Sequence, residues 1–219
     1  MRRPAFLFDL DGTLVDSAPD LAGAGNAVRL ARGLPERPLS DYRPHTSAGA
    51  RGMLGVALGI GPDAPDFEAL KDEFLAAYAQ RLTLLTRCFP AMESLLDQLD
   101  ALQLPWGIVT NKATRFTQPI VSHLGLDRRA GAVICGDTTP HAKPHPEPLL
   151  EAARRMAIAP EDCIYVGDDL RDIQAGHAAG MKTVAVRWGY LGEGLPIEAW
   201  GADDLIDHPE SLLKWAAMP

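Results

Sequence analysis

Two hydrophobic patterns divide this chain. Residues 5 to 8, "AFLF", form an unbroken apolar run that stops at Asp9. Similar runs recur later as "WGIVT" (106–110), "AVIC" (132–135), "CIYVG" (163–167) and "TVAV" (183–186). Short continuous apolar runs predict strands buried on both faces of a sheet. Between them, "RFTQPIVSHLG" (115–125), "PEPLLEAARRMAI" (146–158) and "RDIQAGHAAG" (171–180) carry helical apolar spacing. This alternation predicts an α/β fold: a Rossmann-like, doubly wound parallel sheet with helices on both faces and right-handed crossovers.

From residue 17 to about 86 the pattern changes. "LAGAGNAVRLARGL" (21–34), "SAGARGMLGVALGI" (47–60) and "PDFEALKDEFLAAYAQRLTLL" (65–85) have helix-type spacing, broken at "LPERP" and "GIGPDAP", with no strand-like run among them. The segment reads as an all-helical insertion. "FPAMESLLDQLDAL" (89–102) then predicts the helix that returns the chain to the sheet, with Pro90 in its first turn. The expected division is a core of residues 1–16 and 87–219 and an inserted helical domain of residues 17–86.

Composition narrows the function classes. The 219 residues carry a net charge of −8, which disfavours nucleic-acid binding, since phosphate backbones recruit basic surfaces. No stretch approaches the ~18 apolar residues of a membrane span. The apolar run after Arg2 and Arg3 ends at Asp9, short of the ~7–15 residues of a secretory core. Three widely spaced cysteines, Cys88, Cys135 and Cys163, show neither disulfide-framework nor zinc-ligand spacing. A cytoplasmic protein acting on a small molecule is expected. No coiled-coil seam marks a partner surface.

In an open parallel sheet, ligands gather at the carboxyl ends of the strands. Four such ends carry polar residues: Asp9 and Asp11 after the first run, Thr110 and Asn111 after "WGIV", Lys143 in "HAKPHPEP", and Asp168, Asp169 and Asp172 after "CIYVG". This set suits phosphoryl transfer to a carboxylate. Asp9 and Asp168, with Asp172 in support, offer hard oxygen ligands for Mg2+, which also offsets the repulsion between Asp9 and its neighbour Asp11. Asp9 then has an oxygen for attack on phosphorus, and Asp11 can move the proton. Gly12 permits a sharp turn beside Thr13. Thr110, Asn111 and Lys143 can bind phosphoryl oxygens. Asp169 and Asp172 serve equally as helix N-terminal charges.

These motifs resemble the haloacid dehalogenase superfamily: "DLDGT" (9–13), Thr110 in "VTNK", Lys143 in "AKPHPEP" and "GDDLRD" (167–172) match its four motifs in order. The resemblance implies Asp9 as nucleophile and Asp11 as general acid/base. It implies Mg2+ on Asp9, the Asp11 backbone carbonyl and Asp168, and a cap domain in the helical insertion. Where the family more often has "GDS", this chain has "GDD", which places Asp169 beside the metal ligands. "LFDLDGTLVDSAPDL", "TNK" and "KPHPEPL" are similar to the phosphoglycolate phosphatase group. "TNKATRF", "VGDDLRDI", "VRWGYL" and "WGADDLIDHP" are similar to a branch acting on N-acetylmuramic acid 6-phosphate.

Within the insertion, "RPHTSAGARGML" offers Arg43, His45 and Arg51 as candidate substrate contacts, although each also fits an ordinary surface position. Arg115 and Phe116 are candidates for the same pocket, Phe116 fitting a core position as well, and the four tryptophans read as packing residues. The expected activity is hydrolysis of a small phosphomonoester, either 2-phosphoglycolate or a sugar phosphate. A phosphomutase and a non-catalytic phosphate-binding protein are the rivals. Hinge positions are expected near residues 16–20 and 84–90, where the chain crosses between core and insertion.

Overall fold

The computed structural model describes residues 3–192 and 194–216. Six strands form one parallel sheet: β1 (Ala5–Phe8), β4 (Trp106–Val109), β5 (Val133–Ile134), β6 (Cys163–Gly167), β7 (Lys182–Val186) and β8 (Asp204–Ile206), in the order β5-β4-β1-β6-β7-β8. The strands β2 (Val15–Asp16) and β3 (Arg87–Cys88) make a separate antiparallel ribbon. The helices are α1 (Ala18–Leu30), α2 (Leu39–Tyr42), α3 (Gly49–Leu58), α4 (Phe67–Ala79), α5 (Met92–Ala101), α6 (Thr114–His123), α7 (Glu147–Arg155), α8 (Leu170–Ala178) and α9 (Leu213–Ala216).

Alternation along the strands sorts the core into two layers. Phe6, Phe8, Trp106, Ile108, Ile164 and Val166 face Met92, Leu95, Leu96 and Leu99 of α5. Ala5, Leu7, Val109, Ile134, Cys163 and Tyr165 face α7 and α8 through Leu149, Ala152, Ala153 and Ala175. The period of two puts neighbouring residues on opposite faces, so an uninterrupted apolar run supplies both layers. Strands added after β1 lie first on one side, as β4 and β5, and then on the other, as β6 to β8. That reversal opens a crevice at the carboxyl ends of β1, β4 and β6.

α1 to α4 build a second hydrophobic cluster, around Val28, Tyr42, Met53, Leu54, Phe74 and Tyr78, which also takes in Phe116 and Ile120 of α6. Phe116 is thus a packing residue between the helical layer and the sheet domain. Where the chain crosses, Val15 pairs with Cys88 and Asp16 with Arg87. Asp20, fully buried, accepts from Leu85 N (2.9 Å), Thr86 N (2.8 Å) and Thr86 Oγ1 (2.9 Å). The Tyr190 hydroxyl accepts from Ser17 N (2.8 Å) and Ala18 N (3.0 Å) and donates to Asp16 Oδ1 (3.0 Å).

Pro90 departs from expectation: α5 starts only at Met92, because Ala91 before it takes a left-handed φ of 66° and turns the chain. The outer ends of the expected core, residues 1, 2 and 217–219, lie outside the described residues. Among the described residues no helix is long and apolar enough to cross a membrane.

Candidate active site

β1 ends at Phe8, and Asp9 N donates to Val166 O of β6 at 2.9 Å, fixing the first loop residue against the neighbouring strand. The chain then curls back: Leu14 N (3.0 Å) and Val15 N (2.9 Å) both donate to Leu10 O, while Leu10 and Leu14 plug into the core. Gly12 sits in this curl at φ 88°, and a Cβ there would lie 2.1 Å from Asp168 Oδ2. Only glycine satisfies both the backbone and the close approach. Thr13 points downward, its hydroxyl donating to Asp168 Oδ1 at 3.0 Å.

Lys143 is buried beneath Asp9. Its Nζ donates to Asp172 Oδ1 (2.7 Å), Tyr165 OH (2.7 Å) and Val109 O (3.0 Å). It also forms an ion pair with Asp9 Oδ1 at 2.8 Å. Asn111 holds the lysine's backbone at both ends, Nδ2 donating to Lys143 O and Oδ1 accepting from Lys143 N, each at 2.9 Å. One N–H and the oxygen of its amide thus position Lys143, while Asn111 also lines the site's cavity. Thr110 Oγ1 accepts from Lys112 N at 3.1 Å, which leaves its own O–H to donate.

Asp9, Asp168 and Asp172 are all buried, with ligand atoms within 4.8 Å of one another. Burial pushes Asp9 up to about 7 although Lys143 opposes it, with Asp172 and Asp11 adding to the rise. Asp168 is driven well above the carboxylate range by burial and then by Asp9 and Asp172. Its partners are the Thr13 hydroxyl and Tyr190 N, at 2.8 Å from Oδ2. Asp172 has both oxygens engaged, Oδ1 by Lys143 and Oδ2 by Asp169 N at 3.1 Å. The Asp9 carboxylate beside Asp168, whose own partners are a neutral hydroxyl and a backbone N–H, fits a hard dication. Gly12 and Gly189 keep the space around Asp168 clear of any Cβ.

Asp169 caps α8, accepting from Arg171 N at 2.9 Å, and its side chain pairs with the Arg171 guanidinium at 2.7 and 2.8 Å. Burial raises its carboxyl, but Arg171 outweighs burial and holds it below the usual range. Asp169 is thus charge-matched by its neighbour.

Asp11 faces the helical layer. Its carboxylate takes Lys112 Nζ at 3.0 and 3.1 Å and the Ser17 hydroxyl at the start of α1. Lys112 in turn lies 4.8 Å from the centre of the Tyr78 ring on α4. Burial disfavours the Lys112 charge, but Asp11 and Tyr78 prevail and raise it above the usual lysine range.

A cavity of about 160 Å3 joins these groups, lined by Asp9, Asp11, Thr110, Asn111, Lys112, Lys143 and Arg171 below and by Leu21, Thr46, Ser47 and Gly49 above. The expected residues at the strand ends therefore come together, with Gly12 and Thr13 packed against Asp168 beside Asp9. The three candidates from the insertion lie elsewhere. Arg43 is paired with Asp16 at 2.8 and 3.0 Å, and His45 and Arg51 line an adjoining cavity of about 560 Å3. Arg171 Nη2 donates to Ser47 O at 2.8 Å on the boundary of the two cavities.

Residues 6–186 match the haloacid dehalogenase-like hydrolases. The chain belongs to this family. Over 213 residues, 97% of this chain and 94% of the relative, this haloacid dehalogenase-like hydrolase is 43% identical to the N-acetylmuramic acid 6-phosphate phosphatase of Pseudomonas aeruginosa. Over 221 residues, 100% and 99% of the two chains, it is 48% identical to the phosphoglycolate phosphatase of Xanthomonas campestris pv. campestris. Its fold matches the crystal structure of a predicted phosphoglycolate phosphatase from Haemophilus somnus with a TM-score of 0.85, 29% identity and 98% of each chain covered.

Four residues of this hydrolase's site carried no role in the sequence reading: Lys112, Tyr165, Arg171 and Tyr190. Lys112 had a local signal, because it directly follows Thr110 and Asn111 at a strand end. Tyr165, inside an apolar run, and Tyr190, in a loop, had none.

Proposed function

We propose that this hydrolase is a Mg2+-dependent phosphomonoesterase working through an aspartyl-phosphate on Asp9. The observation that carries the reading is the Asp9 carboxylate, paired with Lys143 at 2.8 Å and set beside Asp168 at a cavity that also bears Lys112. Asp9 and Asp168 would hold the ion, with the Asp11 backbone carbonyl as a further ligand by family resemblance. Bound there, Mg2+ would neutralise these carboxylates and withdraw charge from the phosphoryl oxygens. Asp9 attacks phosphorus, the P–O ester bond breaks, and Asp11 gives the leaving oxygen its proton. Asp11 then takes a proton from the water that attacks the same phosphorus, and breaking the bond to Asp9 frees phosphate. Lys143 and the Thr110 hydroxyl face the charge that develops on the phosphoryl oxygens.

In this reading residues 17–86 act as the cap over a core of residues 1–16 and 87–219. The cap excludes water during transfer, and the chain crossings near residues 16–20 and 84–90 are its hinges. Two substrates have separate support. The adjoining cavity, with Arg51 and His45 on one wall and Leu191, Leu195 and Trp200 on another, suits a bulky sugar acid such as N-acetylmuramic acid 6-phosphate. The inner cavity alone, at about 160 Å3, suits 2-phosphoglycolate.

Phosphate release from both compounds and from hexose phosphates, with Mg2+ or with EDTA, tests the reading. Mg2+-dependent release from one of them, lost in Asp9→Asn, is expected. Turnover by Asp9→Asn, or phosphoryl return to substrate without phosphate release, overturns it. If the sugar acid uses the adjoining cavity, Arg51→Ala lowers its kcat/KM roughly 10- to 100-fold, the worth of one charge-assisted hydrogen bond, and leaves 2-phosphoglycolate unaffected. Equal loss for both substrates removes the sugar-acid assignment.

A further inference from the structure

The loop that carries Lys143 has a second set of metal-type donors on its outer side. His141 and His145 flank Lys143 two residues away in each direction, and Glu147 opens α7. Ligand atoms of the three lie within 4.8 Å of one another. His141 Nδ1 is 2.7 Å from Glu147 Oε2, and His145 Nδ1 is 3.9 Å from the same oxygen. The two imidazoles stack with centroids 4.2 Å apart and planes inclined by 24°. The set shares no residue with the Asp9–Asp168–Asp172 group.

Its chemistry also differs from that group. Three carboxylates suit a hard ion such as Mg2+, whereas two imidazoles and a carboxylate suit zinc, nickel or copper. Two histidines and a glutamate are a known zinc donor set that keeps a further position open. Ligands about 2.0–2.1 Å from a tetrahedral ion stand roughly 3.4 Å apart, between the two donor separations found here. The side chains are 59%, 48% and 37% exposed, so small rotations can bring them to that spacing.

The backbone beneath them is already ordered. His145 N donates to Ala142 O at 3.0 Å, the Thr139 hydroxyl donates to His141 O at 2.7 Å, and Asn111 clamps Lys143. Pro144 and Pro146 restrict the chain on either side of His145. Ion binding therefore has to order side chains rather than a loop, which lowers its entropic cost. Binding at His145 Nδ1 would displace one long hydrogen bond, from Glu147 N at 3.2 Å.

We propose that His141, His145 and Glu147 bind a zinc-type transition-metal dication, separate from the carboxylate group at Asp9. The test is calorimetric titration of Zn2+ into metal-free protein kept in saturating Mg2+, repeated with Co2+ followed by its visible absorption. One Zn2+ per chain is expected. His141→Ala and Glu147→Gln should each weaken it at least tenfold, with His145→Asn as a third variant, while Asp168→Asn leaves it unchanged. Unaltered Zn2+ affinity in His141→Ala and Glu147→Gln, or loss of the bound ion in Asp168→Asn alone, overturns the proposal.

Discussion

Replacing Lys143 with methionine removes an ammonium and keeps most of its stem. The ammonium, on a residue only 5% exposed, lies 2.7 Å from Asp172 Oδ1 and 2.8 Å from Asp9 Oδ1. Removing one partner of a buried ion pair costs about 3–5 kcal/mol, because the charge left behind is neither solvated nor paired. The cost does not double for two carboxylates, since one of them can take up a proton. In a chain of this size each kcal/mol moves the melting temperature by about 2–4 °C, so a drop of roughly 6–20 °C is expected in EDTA at pH 8.

The loss should depend on pH, with a sign set by Asp9. Its carboxyl is raised from 3.8 to about 7 by burial even though Lys143 opposes the rise. A carboxyl raised in the folded state weakens that state as pH climbs from the unfolded value through the folded one, at up to about 1.4 kcal/mol per pH unit. For the wild type this decline ends near pH 7. Without Lys143 the folded value moves higher and the decline continues above pH 7. The gap between variant and wild type should therefore be smaller at pH 5.5 than at pH 8. Thermal melts by circular dichroism at both pH values, in EDTA, measure it. Equal gaps, or a drop below about 2 °C at pH 8, would refute the view that Lys143 compensates buried negative charge.

Other perturbations read out the same construction. Gly12→Ala must fit a Cβ where Asp168 Oδ2 lies 2.1 Å away, at a φ of 88°, so the Mg2+ concentration for half-maximal activity should rise at least tenfold; an unchanged requirement counts against Asp168 as a ligand. Mg2+ added to metal-free protein should raise the melting temperature more at pH 8 than at pH 5.5, because Asp9 and Asp168, both raised by burial, must release protons to bind it. Equal shifts at the two pH values would place the ion elsewhere. Asp20→Ala strands the N–H of the fully buried Thr86 at about 1–3 kcal/mol, whereas Leu85 beside it is exposed and can turn to water. Urea unfolding that shows no loss would mean the crossing is held by the β2–β3 ribbon alone.

The strands at the centre of the sheet were legible because burial on both faces leaves an uninterrupted apolar run, as in Ala5–Phe8 and Cys163–Gly167. β8 was not, because an edge strand three residues long that begins with Asp204 needs no such run. The two-residue strands β2 and β3 were hidden too, since their pairing depends on residues 87–88 returning to residues 15–16. The same holds for the site. Asp9, Asp11, Lys143 and Asp168 stand out because each follows a strand in a recognisable local string. Partners that depend on tertiary approach do not, such as Arg171 with Ser47 O or Tyr190 with Asp16, separated by 124 and 174 positions. Arg43 shows the converse: a cation in a promising loop, paired instead with Asp16 at the crossing.

This difference in partners explains why two aspartates one residue apart can do different work. Asp9 has its direct partners in the sheet domain: Lys143 and Asp168 lie on loops after strands, and Asp172 in the first turn of α8. Asp11 lies where the layers meet, bound by Ser17 at the head of α1 and by Lys112, whose ammonium rests against Tyr78 of α4. A movement of the helical layer would change the direct partners of Asp11, whereas those of Asp9 all lie in the sheet domain. The carboxylate proposed to attack is thus held by groups of the sheet domain. The one proposed to move a proton sits where the two layers meet, and the left-handed Gly12 that follows it curls the chain back so that Val15 N reaches Leu10 O.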